Sequence, residues 1–295
     1  MLIFARALSN SKRIVLLGKT GVGKSSVANT IFGKPRFKIG HSVNSETKEC
    51  QAVTVSVNGR NITLIDSPGF FDTDQPEDEM KSAILRCVTE FTSGPQAFLI
   101  VLRVEKYTEQ EQAVIAKMHE YFSDELFQFA TVLFTHGDQL REGQTIENFI
   151  CDNKLVMELV KKCGGRCHVI DNKYWKNNPE EEYRNNQVQV KKLLKTIDQI
   201  IKANNGGCYT NEMLEAVGER IKQEEQRIRR GGGDKTDDQI RKEAKENVFK
   251  GLSVLLATVP SVALIGALFT GGGSLVVVPI VAAGTAIVAW CKGWF

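Results

Sequence analysis

The sequence predicts an α/β fold built on a mostly parallel six-stranded sheet flanked by helices, and three observations carry that expectation. Six short runs rich in β-branched and apolar residues lie at 13–17, 52–57, 62–65, 97–102, 130–134 and 167–170. Segments of helical period separate most of them, the pattern of strands joined by crossover helices. Asn58-Gly59 stands alone between the second and third runs, a two-residue hairpin signal that makes those two strands antiparallel neighbours. The remaining strands, separated by helices, are expected to be parallel.

The chain has 295 residues, of which 42% are hydrophobic, enough for a sizeable buried core. Lys and Arg number 38 against 35 Asp and Glu, a net charge of +3, which argues against a nucleic-acid partner on charge. The seven cysteines are scattered, and Cys163 and Cys167 lack a second pair or a His cluster to complete a zinc site. Free thiols in a reducing cytosol are the expectation. At the N-terminus Arg6 splits a short apolar stretch and no secretory signal is expected.

Composition divides the chain into an α/β domain at 11–205, a charged amphipathic helix and linker at 206–250, and a hydrophobic hairpin at 251–295. In the middle segment Met213, Val217, Ile221 and Ile228 fall near one helical face, which calls either for the α/β domain or for a partner helix as its cover. Gly231, Gly232 and Gly233 then break the helix. From Gly251 to Cys291 there is no charged residue or histidine, about twice the length of one bilayer crossing. Gly271, Gly272 and Gly273 form a turn between two arms, 252–269 and 275–290, and lysines stand outside both ends. That arrangement suits a membrane hairpin, spanning or re-entrant, with both ends on the cytoplasmic side. A buried helical hairpin is the other reading.

Gly18-Lys19-Thr20-Gly21-Val22-Gly23-Lys24-Ser25 follows a β-run and opens a helix, matching G-x-x-x-x-G-K-[ST] in full. Its backbone N–H groups can wrap a phosphate, Lys24 can neutralise the β- and γ-phosphates, and the Ser25 hydroxyl can ligate Mg2+. Asp66-Ser67-Pro68-Gly69 ends the third run, where Asp66 can hold Mg2+ through water and Gly69 can sense the γ-phosphate. Between them Thr47, in a polar loop, can bring a hydroxyl to Mg2+ and its backbone to the γ-phosphate. Thr135-His136-Gly137-Asp138 follows the fifth run. The Asp138 carboxylate can accept two hydrogen bonds from guanine that adenine cannot donate, which selects GTP over ATP. His136 is either a base-edge contact or a surface histidine. Asn172 approaches the base from the other side with Asp171 and Lys173.

These residues resemble the AIG1-type GTPases, the immunity-associated GIMAP family related to the septin and Toc GTPases. The match runs through RIVLLGKTGVGKSSVANTIF, ETKECQ, DSPGFFD, YTEQEQ, LFTHGDQL and RCHVIDN, over about residues 11 to 205. The resemblance implies a P-loop GTPase fold, with residues Gly18 to Ser26 as the phosphate loop and Thr47 as the switch I threonine. It makes Asp66 and Gly69 the switch II pair and Asp138 and Asn172 the guanine contacts, with GTP or GDP and Mg2+ as ligands. It also implies dimers or oligomers formed through the nucleotide face, with itself or with related family members, on the cytoplasmic face of an intracellular membrane. Hydrolysis in the family is slow unless a partner subunit assists. The assisting arginine of some members is replaced here by Lys106, which keeps the charge and loses the planar fork; Arg103 lies three residues earlier. Phe70 stands where faster GTPases present a water-orienting glutamine. The functional expectation is therefore a slow GTPase assisted by assembly, with Lys24, Thr47 and Lys106 as catalytic candidates, or else a GTP-gated membrane scaffold that does not hydrolyse.

Overall fold

The computed structural model describes residues 11–39, 50–57, 59–67, 77–92, 94–105, 112–113, 115–116, 123–176, 178–179 and 182–258. The chain divides into two compact units, residues 1–211 and 212–295.

In the first unit six strands form one sheet: β1 (Lys12–Leu17), β2 (Gln51–Val57), β3 (Arg60–Asp66), β4 (Ala97–Arg103), β5 (Ala130–Thr135) and β6 (Cys167–Val169). The order is β2-β3-β1-β4-β5-β6. β2 and β3 are antiparallel, with Val57 opposite Arg60, and Gly59 between them has φ 74. That is the turn expected from Asn-Gly, with Gly supplying the left-handed conformation at no steric cost. The other neighbours are parallel. β4 and β5 are apolar almost throughout and buried residue after residue, because helices cover both faces of a parallel sheet. β2, at the edge, alternates with mostly exposed positions.

The helices of this unit are α1 (Lys24–Phe32), α2 (Glu77–Phe91), α3 (Ile146–Cys151), α4 (Lys154–Lys162) and α5 (Asn186–Ala203). α5 buries Leu193, Ile197 and Ile200 along one stripe, and Leu193 and Ile197 join Ile14, Leu16, Leu99 and Val101 in the core. Beyond α5 the chain returns to the bottom of the sheet. Tyr209 is 1% exposed, meets the edge of Phe98 at 5.2 Å between ring centroids, and donates its backbone N–H to Pro95.

His168 on β6 tests the packing of the far edge of the sheet. Its Nε2 is 2.9 Å from Thr196 Oγ1 on α5, and burial pushes its pKa down to about 4. The folded state therefore prefers the neutral ring. This contribution is complete above pH 6.5 and is lost as pH falls from 6.5 towards 4, at most about 3 kcal/mol. Urea midpoints between pH 7 and pH 4 are expected to fall further for the wild type than for His168→Gln.

The second unit is a pair of helices, α6 (Glu212–Arg230) and α7 (Asp237–Thr258). α6 buries Met213, Leu214, Val217 and Ile221, and α7 buries Ile240 and Ala244. Across the pair Asn247 Nδ2 donates to Glu224 Oε1 at 2.8 Å, and Arg229 meets Asp237 at 2.8 Å. The stretch after the glycines, expected as a linker, is instead helical. Thr236 and Gln239 form a reciprocal capping box ahead of Asp237 and Asp238, and Glu246 lies one turn before Lys250. These local terms and the neighbouring helix outweigh a composition that reads as solvated. α7 continues past Gly251, so the change from charged to apolar sequence falls inside a helix. Among the described residues no helix is long and apolar enough to cross a membrane; most of the expected hydrophobic hairpin, residues 259–295, lies outside them.

Candidate nucleotide-binding site

The sheet order places β1 between β3 and β4, so the connection after β1 runs towards β2 and β3 and the one after β4 towards β5, the switch point at the carboxyl ends of the strands where open α/β sheets bind ligands. The turn from Gly18 to Gly23 joins β1 to α1 there. Gly18 has φ +151, and a Cβ on it would sit 2.5 Å from the Val101 carbonyl of β4; only glycine lets the loop lie this close to the strand. No side chain caps the start of α1, which leaves its first N–H groups directed at an incoming anion. Lys24 is 7% exposed. Its ammonium donates to the carbonyls of Gly18 at 2.9 Å and Lys19 at 3.0 Å, inside the loop it would close around a phosphate.

Ser25 follows on α1 and donates its hydroxyl to Asp66 Oδ2 at 2.5 Å. Asp66 ends β3, is 1% exposed, and its other carboxylate oxygen is buried with no hydrogen-bond partner among the described residues. Burial pushes its pKa above the usual carboxylate range, with the Lys24 charge and the Ser25 hydroxyl pulling against that shift. A buried carboxylate with one orphaned oxygen beside a hydroxyl fits a hard divalent cation such as Mg2+, which takes oxygen ligands and keeps part of its water shell. Ser67, buried behind it, donates to the Leu16 carbonyl at 2.6 Å and anchors the exit from β3 to β1.

Beyond this switch point the loops after β5 and β6 enclose a cleft of about 280 Å³ lined by His136, Asp138, Asp171, Asn172, Lys173 and Tyr174. His136, Asp138 and Asn172, expected from separate stretches of sequence, are thus brought together. Asn172 Oδ1 accepts from the Thr30 hydroxyl at 3.1 Å, and its Nδ2 lies against Gly23, so the base cleft adjoins the phosphate loop. His136 takes a left-handed conformation with φ 59 and its Nδ1 is 3.0 Å from Thr135 Oγ1. Burial and the Arg103 charge lower its pKa, against Asp138, Asp171 and Glu105. His136 is part of the cleft wall.

Asp171 differs from its expected role beside the base. It is 2% exposed and its Oδ1 accepts the backbone N–H groups of Lys173, at 2.8 Å, and Tyr174. Its Oδ2 accepts the N–H of Asp138 at 3.4 Å. Burial would raise its pKa, and these donors, Tyr174 first, more than offset that and hold it low. Its carboxylate shapes the two loops.

Four further residues serve the site. The Thr135 hydroxyl, fully buried, donates to the carbonyl of Val22 at 2.8 Å and locks the phosphate loop to β5. Trp175, 2% exposed, lies so close to Gly137 that a Cβ there would meet its ring at 2.5 Å. Tyr174, 57% exposed, forms an outer wall with the Lys173 ammonium 4.8 Å from its ring centroid. Asn186 at the start of α5 holds the backbone of Asp171. Thr135 stands in the T-H-G-D motif and could have been read from it; Asn186 is 15 residues from its partner and carries no local signal.

Ser26 lies on the first turn of α1. Arg103 ends β4, 3.6 Å from Glu105. Thr47, Gly69, Phe70 and Lys106 lie outside the described residues. Among those described, no His, Cys, Asp and Glu cluster forms another metal site.

Immune-associated nucleotide-binding protein 9 of Arabidopsis thaliana is 29% identical over 259 residues, 85% of this chain and 74% of that protein. Immune-associated nucleotide-binding protein 13 of the same plant is 31% identical over 240 residues, 80% of this chain and 70% of that protein. Among solved structures, Toc33 from Arabidopsis thaliana in complex with GDP and Mg2+ has a TM-score of 0.55 at 18% identity, covering 71% of this chain and 91% of that one, which shows a shared fold. The AIG1 family model matches residues 12–229, and the chain belongs to the AIG1 family.

Proposed function

We propose that this chain is a guanine-nucleotide switch that binds GTP or GDP with Mg2+, assembles in the GTP state and hydrolyses GTP slowly. The observation that carries the reading is adjacency: the Asp138 cleft meets the phosphate loop through Asn172, which lies against Gly23 and is bonded to Thr30, and the buried Asp66 oxygen lies beside Ser25 of the same loop-helix turn. Lys24 and the N–H groups at the start of α1 bind and orient the β- and γ-phosphates. Ser25 and Asp66, joined by Thr47, hold Mg2+, which when bound neutralises charge between those phosphates. Asp138 and Asn172 hold the base, and the Gly69 N–H senses the γ-phosphate.

In sequence, Phe70 carries no group that could orient an attacking water, so the missing stabilisation falls to a cation from a second copy, Lys106 or Arg103. Such a cation contributes roughly 10³–10⁵ in rate. Toc33 has been solved as a dimerization-deficient mutant, and the proposed assembly joins two copies of this chain, or related family members, through the nucleotide face. The uncharged stretch from Gly251 to Cys291 with lysines outside it supports attachment to the cytoplasmic face of an intracellular membrane. Phe70 and Lys106 equally favour a second reading, a scaffold gated by GTP without hydrolysis.

The test is GTP turnover per molecule by the full chain in lipid vesicles at rising protein density. A specific rate that climbs with density and stays flat in Lys106→Ala supports hydrolysis assisted by assembly. Bound GTP with a flat, near-zero rate in the wild type supports the scaffold. Failure to bind GTP, or displacement of bound GTP by ATP at equal concentration, overturns the reading.

A further inference from the structure

We infer that Asn186 is a positioning residue for base selection, acting through Asp171 on the loops that carry Asp138 and Asn172; the inference rests on the guanine-nucleotide reading above. Asn186 is the first residue of α5 and is 6% exposed. Its carboxamide grips Asp171 at both main-chain groups: Oδ1 accepts the Asp171 N–H at 3.0 Å and Nδ2 donates to the Asp171 carbonyl. Its own N–H donates to the Trp175 carbonyl at 3.1 Å. Residues 171–175 are therefore pinned at both ends by one residue of a core helix.

Asp171 passes this constraint on. Its carboxylate binds the N–H groups of Lys173 and Tyr174 in its own loop and that of Asp138 in the neighbouring loop. The two loops are also joined by the Gly137 N–H to the Ile170 carbonyl at 3.1 Å and by the Trp175 ring against Gly137. Asp138 selects guanine through two directional hydrogen bonds, so a loop displaced by a fraction of an ångström weakens selection before it weakens phosphate binding. Removing the Asn186 carboxamide leaves a buried N–H and a buried C=O of Asp171 without partners, and the loops must shift to satisfy them.

The adjacent residue supplies the control. Asn185 caps α5, its Oδ1 accepting from Gln187 N at 2.7 Å and Val188 N at 3.2 Å. Its Nδ2 donates to the carbonyls of Asn178 and Pro179. Among the described residues no hydrogen bond joins its side chain to Asp171. Loss of this cap lowers helix stability by a typical amount without loosening the grip on Asp171.

The experiment measures dissociation constants of the full chain for GDP, ADP and inorganic tripolyphosphate in the wild type, Asn186→Ala, Asn186→Asp and Asn185→Ala. The expected result is that Asn186→Ala lowers the GDP:ADP preference by about tenfold or more, the scale of one weakened hydrogen bond, with tripolyphosphate affinity unchanged. Asn186→Asp keeps the acceptor but turns a carboxylate oxygen to the Asp171 carbonyl, so its preference falls at least as far as that of Asn186→Ala. Asn186→Ser, measured alongside, can keep one of the two hydrogen bonds, falls between wild type and alanine, and carries the test should the other variants not fold. Asn185→Ala retains the wild-type preference. An unchanged preference in the Asn186 variants, or an equal loss in Asn185→Ala, overturns the inference while leaving the guanine-nucleotide reading standing. A wild type that binds GDP and ADP alike overturns that reading, and the inference with it.

Discussion

Replacing Lys24 with alanine lowers GTP affinity by about two to four orders of magnitude while changing stability without nucleotide by no more than about 1 kcal/mol. The asymmetry comes from the state of the ammonium. Within the loop it is buried and donates to the Gly18 and Lys19 carbonyls, so hydrogen bonds offset desolvation and the net contribution to folding is small. Against a phosphate it becomes one half of a charged pair. Removing one partner of such a pair costs about 3–5 kcal/mol, the stated loss of affinity. Calorimetric titration with GTP and a urea melt of the nucleotide-free variant check both halves. A variant that binds normally removes Lys24 from the site; one that unfolds makes it a structural residue.

The second large effect is a change of base. Asp138→Asn lowers GTP affinity by about two orders of magnitude, because one guanine donor then faces an amide donor where it had a carboxylate oxygen. Xanthine keeps N1–H and has a carbonyl in place of the exocyclic amine, which matches the acceptor and donor of asparagine, so the variant is expected to prefer XTP. Competition of labelled GTP and labelled XTP by each unlabelled nucleotide reads the exchange. Loss of both affinities without a change of preference would assign Asp138 to the loop rather than to the base. That outcome is distinguishable here because Asp138 contributes to the loop through its backbone N–H, bonded to Asp171, and through its Oδ2, which accepts from Gln139 Nε2 at 2.6 Å; the substitution keeps the first, and the asparagine Oδ1 can keep the second.

The strands were legible because each carries its own evidence. β4 and β5 are apolar almost throughout, and Asn58-Gly59 sets one antiparallel pair in an otherwise parallel sheet. The phosphate loop was equally legible, since glycine spacing, lysine and serine are one contiguous string. The segment after Gly233 misled, because its charges resemble a solvated linker when the neighbouring helix is not in view; the capping box of Thr236 and Gln239 was the local signal available.

The sequence by itself determined the fold class, the order of the strands' chemistry along the chain, the glycine-lysine-serine loop and the position of the carboxylate proposed to select the base. These are contiguous patterns, and a contiguous pattern needs no knowledge of what lies across the core. The tertiary structure alone decided that Asp171 turns its carboxylate to backbone N–H groups, that Trp175 packs on Gly137, and that Thr135 ties β5 to the phosphate loop. It alone decided that Asn186 holds Asp171 and that α7 is the helix paired with α6. Each of these depends on which main-chain groups and surfaces long-range folding leaves to be satisfied, and burial makes their satisfaction compulsory.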